Sequence, residues 1–162
     1  MSRDEVDPRE AFVRLEREIA LLLRRSRAIS ARLAGELHPD LDGAAYGLLA
    51  LLEDAGPLRA SDLVARLGLD KSTVSRQVAS LVDLGLVVRA PDPDDGRAQV
   101  LSPSAEGSAR LARIRAARRA RWEADLADWP PDDIAMLGEL LARLNRIGEA
   151  REAEAKGPET GV

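Results

Sequence analysis

Residues 67–76 read Leu67-Gly68-Leu69-Asp70-Lys71-Ser72-Thr73-Val74-Ser75-Arg76, and this stretch decides the fold. Gly68 stops a short helix over 60–67; Asp70 opens a second over 70–84, which Gly85 closes. Two helices joined by Gly68-Leu69 have the length and turn chemistry of a helix-turn-helix. In the second helix Val74, Val78 and Leu81 stand at i, i+4 and i+7, so they share one buried stripe. Thr73, Arg76, Gln77 and Ser80 fall on a different arc, with Ser72 and Ser75 beside it. That arc carries hydrogen-bonding side chains of short to medium reach and no carboxylate. Such a surface suits double-stranded DNA, with Arg to guanine, Gln to adenine, and Ser or Thr to base or backbone. Asp70 is best used as the helix cap. Arg59 and Lys71, at the starts of the two helices, complete the candidate DNA contacts on this segment. Taken alone, the Ser72–Ser80 arc is a solvated helix face; a hairpin directly after Gly85 reverses that preference.

Leu86-Val87-Val88-Arg89 and Gln99-Val100-Leu101 read as the two strands of this hairpin, around Pro91-Asp92-Pro93-Asp94-Asp95-Gly96-Arg97, a turn-forming segment. Ser102-Pro103 reads as a cap and first helical turn, opening a long helix to about Asp128. Upstream, Asp7-Pro8-Arg9-Glu10 starts a helix over 8–35, and a leucine-rich helix over 42–55 is closed by Gly56-Pro57. After Trp129-Pro130-Pro131 a last helix carries Ile134, Leu137, Leu141 and Leu144 as a heptad-like stripe. Phe12, Leu15, Ile19 and Leu22 recur at helical spacing on the first helix. These terminal helices are too leucine-striped to be buried on a small central lobe, and a second copy of the chain is the simplest partner. The expected fold is mainly α with a small β-hairpin wing: a winged helix-turn-helix with N- and C-terminal dimerisation helices. Its parts are a dimerisation helix over 1–36, a DNA-binding domain over 37–102, dimerisation helices over 103–148, and a disordered tail over 149–162.

The chain resembles the MarR family of bacterial regulators. The resemblance rests on residues 67–76 as quoted, on Leu84-Gly85-Leu86-Val87, on Asp95-Gly96-Arg97 as an Asp-x-Arg wing motif, and on Leu101-Ser102-Pro103 as a Leu-Thr-Pro-like boundary. It implies a triangular homodimer, usually a repressor, whose recognition helices enter successive major grooves of a pseudo-palindromic operator. It also implies that Arg97 reaches the minor groove, held by a salt bridge from Asp95. Gly96 between them makes the tip more flexible than a bulkier residue would. A lipophilic or phenolic small-molecule effector is further implied, with Tyr46 near the pocket that would receive it.

Composition narrows the alternatives. There is no cysteine and one histidine, His38, which excludes thiolate metal sites, thiol redox sensing and His-based metal or catalytic clusters within one chain. No glycine-rich phosphate loop or nucleophile elbow is present, so neither a cofactor nor an enzyme activity is expected. Asp92, Asp94 and Asp95 are better read as turn residues among prolines than as a cation site. The Arg110–Arg121 series reads as a solvated helix face. No apolar run approaches the roughly 20 residues a bilayer requires, and the charged start lacks a signal-peptide core, so a cytoplasmic protein is expected. The net charge of −4 is the one feature against DNA binding. It keeps open a helical homodimer acting through protein contacts, although a dimer needs only a locally positive face.

Overall fold

Asp7 starts the first helix by accepting the N–H of Arg9 at 2.9 Å, with Pro8 in the first helical position. The computed structural model describes residues 7–155, with side chains as far as 148, so residues 1–6 and 156–162 of the expected terminal segments lie outside it. In chain order the elements are α1 (Pro8–Leu37), α2 (Gly43–Ala55), β1 (Leu58–Arg59), α3 (Ala60–Leu67), α4 (Lys71–Asp83), β2 (Val87–Pro91), β3 (Gln99–Pro103), α5 (Ala105–Asp125) and α6 (Pro131–Ala155). The chain divides into two compact units, one ending at Arg118 and the other beginning at Arg119.

Each connection in the first unit has a local cause. Asp42 caps α2 by accepting the N–H groups of Ala44 and Ala45 at 3.0 and 3.1 Å. Gly68, at φ +62°, takes the left-handed turn that ends α3 and lets α4 begin after two residues. Leucines from five helices and valines from α4 and β2 build one core, with Leu48, Leu52, Leu63, Leu81, Leu86 and Leu111 almost wholly enclosed. Only the C-terminal end of α1 joins it, through Leu33, Ala34 and Leu37.

The three strands form one antiparallel sheet in the order β1-β3-β2, with Leu58 opposite Leu101 and Val87 opposite Pro103. Two sequence expectations are corrected at this sheet. β1 forms where the residue pattern predicts no strand, and Ser102-Pro103 ends a strand instead of starting a helix. The capping task falls to Ser104, whose Oγ accepts the N–H of Gly107 at 2.9 Å and donates to the Gly85 carbonyl at 2.6 Å. α5 can come this close because residue 107 is glycine: a Cβ there would lie 2.1 Å from the Leu86 carbonyl oxygen.

The second unit contains the end of α5, a turn closed by the Trp129 N–H on the Leu126 carbonyl at 2.9 Å, and α6. Asp132 and Asp133 occupy the first turn of α6, where carboxylates offset the helix dipole. The helix runs on to Ala155, into the segment expected to be disordered. Ile134, Leu137, Leu141 and Leu144 are exposed on the single chain. On α1, Phe12, Leu15 and Leu22 are likewise exposed and Ile19 is half-buried. No helix among the described residues is long and apolar enough to cross a membrane.

Candidate nucleic-acid interface

The outer face of α4 is set by what its inner face buries. Val74, Val78 and Leu81 are enclosed in the core, as the i, i+4, i+7 spacing requires. Lys71, Ser72, Ser75 and Arg76 are exposed on the other side, and Thr73 and Ser80 are half-buried at its margin. At the head of the helix Asp70 accepts three hydrogen bonds: from the Thr73 N–H at 2.8 Å, from Thr73 Oγ1 at 2.7 Å, and from Ser72 Oγ. These bonds, those from the two hydroxyls foremost, hold the Asp70 carboxyl far below the usual carboxylate range. Its charge is spent on the cap; from Lys71 to Val82 the helix carries no acid, and its one carboxylate, Asp83, is exposed at the C-terminal end.

Gln77 departs from the expectation that it reads a base. It is buried, 5% exposed, and its Nε2 donates to Asp42 Oδ2 at 2.7 Å. The reason is angular. At about 100° per residue, Gln77 lies only about 60° round the helix from Val74, so it falls at the edge of the buried stripe. Asp42, which no motif in the sequence singles out, is the partner that makes this burial tolerable.

The wing loop is organised by a second buried polar group. Asp92 is 7% exposed; its Oδ2 accepts from Arg59 Nε at 2.5 Å and its Oδ1 from the Asp94 N–H at 2.9 Å. The Asp94 N–H and the Arg59 guanidinium together hold the Asp92 carboxyl below its ordinary range, and the same contact raises Arg59. Arg59 thus braces the wing through Nε while its side chain stays 41% exposed, and its Nη2 also lies 4.0 Å from Asp95 Oδ2. The expected Asp95–Arg97 salt bridge is replaced by a local turn, in which Asp95 Oδ1 accepts the backbone N–H of Arg97 at 3.1 Å. Arg97 itself is exposed, and no ion pair to its guanidinium occurs among the described residues. Asp92, Asp94 and Asp95 form no metal-binding group among those residues.

Between α3, α4 and the wing strands lies a cavity of about 400 Å³, walled by Val64, Val74, Val78 and Leu101, with Lys71 and Arg89 also lining it. A second, of about 620 Å³, is lined by Leu37, Arg110, Arg113 and Ile114 among others. Tyr46, expected beside an effector pocket, lines neither. It is buried, and its hydroxyl accepts from Arg118 Nη1 at 3.2 Å. The arginine series on α5 is not wholly solvated either. Arg110 donates to the Leu37 carbonyl at 3.0 Å, and Arg115 pairs with both oxygens of Asp54 at 2.9 Å, which raises its pKa.

Comparison with known proteins agrees with this architecture. The MarR family model matches residues 40–98, from α2 to the end of the wing loop. The chain is 33% identical over 132 residues to the HTH-type transcriptional regulator YxaD of Bacillus subtilis, covering 82% of this chain and 91% of that protein. Among solved structures, a probable transcriptional regulator from Pseudomonas aeruginosa is 32% identical with a TM-score of 0.56, covering 80% of this chain and 98% of that one. A mutant MarR of E. coli, solved with operator DNA, shares the fold at 21% identity with a TM-score of 0.61, covering 85% of this chain and 98% of that one.

Proposed function

The chain belongs to the MarR family of transcriptional regulators, and from that premise we propose that it represses transcription as a homodimer on a pseudo-palindromic operator. The observation that carries this reading is the pairing of an α4 face that is free of acids from Lys71 to Val82 with an exposed Arg97 on the adjoining hairpin, free of ion pairs among the described residues. Arg76, in the middle of that face, is the residue with the reach and planar donor set to read guanine in the major groove. Arg97 on its narrow hairpin suits the minor groove, where a guanidinium senses width and potential more than base identity. Each copy reads one half-site, so half-site centres stand one helical turn apart, about 10 base pairs.

The solved MarR complex with operator DNA supports the DNA partner, and the exposed stripes on α1 and α6 support association of two copies. An effector fits the 400 Å³ cavity: its apolar walls and two cationic residues suit a small lipophilic acid or phenolate, and its volume lies in the range of small-molecule sites. A ligand there would touch α4 and the wing together, the two elements assigned to DNA.

Titration of duplexes drawn from the chain's own promoter region tests the reading. Arg76→Ala should lose about 1–3 kcal/mol at one base position and relax preference there. Arg97→Ala should weaken binding to all duplexes alike and reduce the salt slope by about one. Salt-independent or absent binding by the unaltered chain would reject the assignment in favour of action through protein contacts.

A further inference from the structure

We propose that Gln77 is a positioning residue: through Asp42 it fixes the rotation of α4 about its own axis and so sets which side chains meet the duplex. This rests on the reading of α4 as the DNA-reading helix. The apolar stripe of α4 is made of Val74, Val78 and Leu81, whose contacts are non-directional and allow a helix to roll slightly on its bed. A hydrogen bond between an amide and a carboxylate is directional and charge-assisted. Gln77 places that bond at one edge of the stripe, where it acts as a stop against rolling.

Asp42 is suited to be the fixed end. Its Oδ1 is held by two N–H groups at the start of α2, which leaves Oδ2 for Gln77 at 2.7 Å. One carboxylate thus joins the first turn of α2 to the middle of α4, across 35 positions of sequence. Side-chain ends lie about 5–6 Å from a helix axis, so a roll of about 20° would carry them about 2 Å. Recognition geometry tolerates about 10–20°. Ser72, Ser75 and Arg76 would all move together, because they are carried on the same backbone.

The experiment uses the full chain with Gln77→Met, Asp42→Ser, the double variant and Asp42→Asn. Methionine keeps the volume of glutamine without its hydrogen bond. Serine retains a cap for α2 but does not reach Gln77, whereas asparagine retains both contacts after the Gln77 amide turns over. Affinity is measured for a duplex selected by the unaltered protein from random sequence, and for a scrambled duplex of the same length. Gln77→Met and Asp42→Ser should each lower the selected-over-scrambled ratio about tenfold, with scrambled affinity and salt slope unchanged. The double variant should be no worse than either single one, and Asp42→Asn should behave as the unaltered chain.

Loss of preference at a single base pair in Gln77→Met, with Asp42→Ser unaffected, would make Gln77 a direct reader and overturn the proposal. Equal loss on both duplexes would reduce the bond to a stabilising one, and also overturn it. Should the unaltered chain show no sequence preference, the reading of α4 fails, and amide exchange without DNA decides the remainder. Faster exchange along α4 in both single variants, with α3 unchanged, would support the stop; unchanged exchange would refute it.

Discussion

A serine or threonine hydroxyl has one proton to give and two lone pairs with which to accept. In this chain Ser72 and Thr73 both give their proton to Asp70, so each presents only lone pairs outward. They can then accept from the amino groups of adenine N6 or cytosine N4, but cannot donate to guanine O6 and N7 or to phosphate. Asp70→Asn keeps its oxygen on the Thr73 N–H and on Ser72 Oγ, which share Oδ1, but places an amide donor opposite Thr73 Oγ1 and so frees the Thr73 proton alone. Selection from random duplexes should therefore yield an amino-bearing base opposite Thr73 for the unaltered chain and guanine there for Asp70→Asn, with the position opposite Ser72 unchanged. Unshifted base preference would mean that the Thr73 hydroxyl does not read a base. A pH dependence accompanies the same group. Its folded pKa lies below the unfolded value of about 3.9, so its contribution to stability is fully present above that value and is lost as pH falls through the folded pKa. Thermal melts should show the advantage over Asp70→Asn shrinking as the solution is acidified below about pH 4. The face that carries these hydroxyls is legible in the sequence, because a period of 3.6 separates it from Val74, Val78 and Leu81. The fate of Gln77 is not: periodicity places it at a boundary, and only the fold brings Asp42 within reach to draw it inside.

Among the elements, α5 is the one whose placement depends on a missing side chain. Gly107 lets the first turn of α5 rest on the Leu86 carbonyl, while the Ser104 N–H donates to the same oxygen at 2.9 Å. A methyl group at 107 meets backbone, which cannot swing aside as a side chain would. Gly107→Ala should therefore destabilise the chain by about 1–3 kcal/mol despite alanine's better helix propensity, as read by denaturant melts. A neutral or stabilising result would show that α5 can lift from β2 at little cost. Helix order and both strands of the hairpin can be read from capping residues, glycines and alternation, since those signals are local. The third strand cannot, because β1 is two residues long and exists only by pairing with β3. The same pairing explains why Ser102-Pro103 is extended. β1 reaches only from Val100 to Leu101, so Pro103 needs no N–H toward that side. The residue type and position of Arg59 likewise suggest DNA and give no sign of its ion pair with the wing. Its partner Asp92 lies across the sheet, and nothing within a few residues of either announces the contact.

For the molecule as a whole, the apolar stripes of the terminal helices call for a cover. Phe12 is 72% exposed and Val13 66%, a degree of exposure that single scattered residues show but a repeated helical stripe in a lone soluble chain seldom does. α6 repeats the pattern from Ile134 to Leu144, with Met136 and Leu140 beside it. Two copies joined through such stripes would bring two α4 faces onto one duplex, so that the second half-site is bound as an intramolecular step. Placing a charge on each stripe, as in Leu15→Asp with Leu141→Asp, should leave the core of the first unit intact, since neither residue belongs to it. Sedimentation should then report one chain where the unaltered protein reports two. Affinity for a two-half-site operator should fall by about 10²–10⁴, while affinity for a single half-site should hold, because tethering, and not contact chemistry, has been removed. A variant that becomes single-chain yet keeps full operator affinity would separate the stripes from DNA reading. One that stays paired would place the self-contact on other residues of the chain.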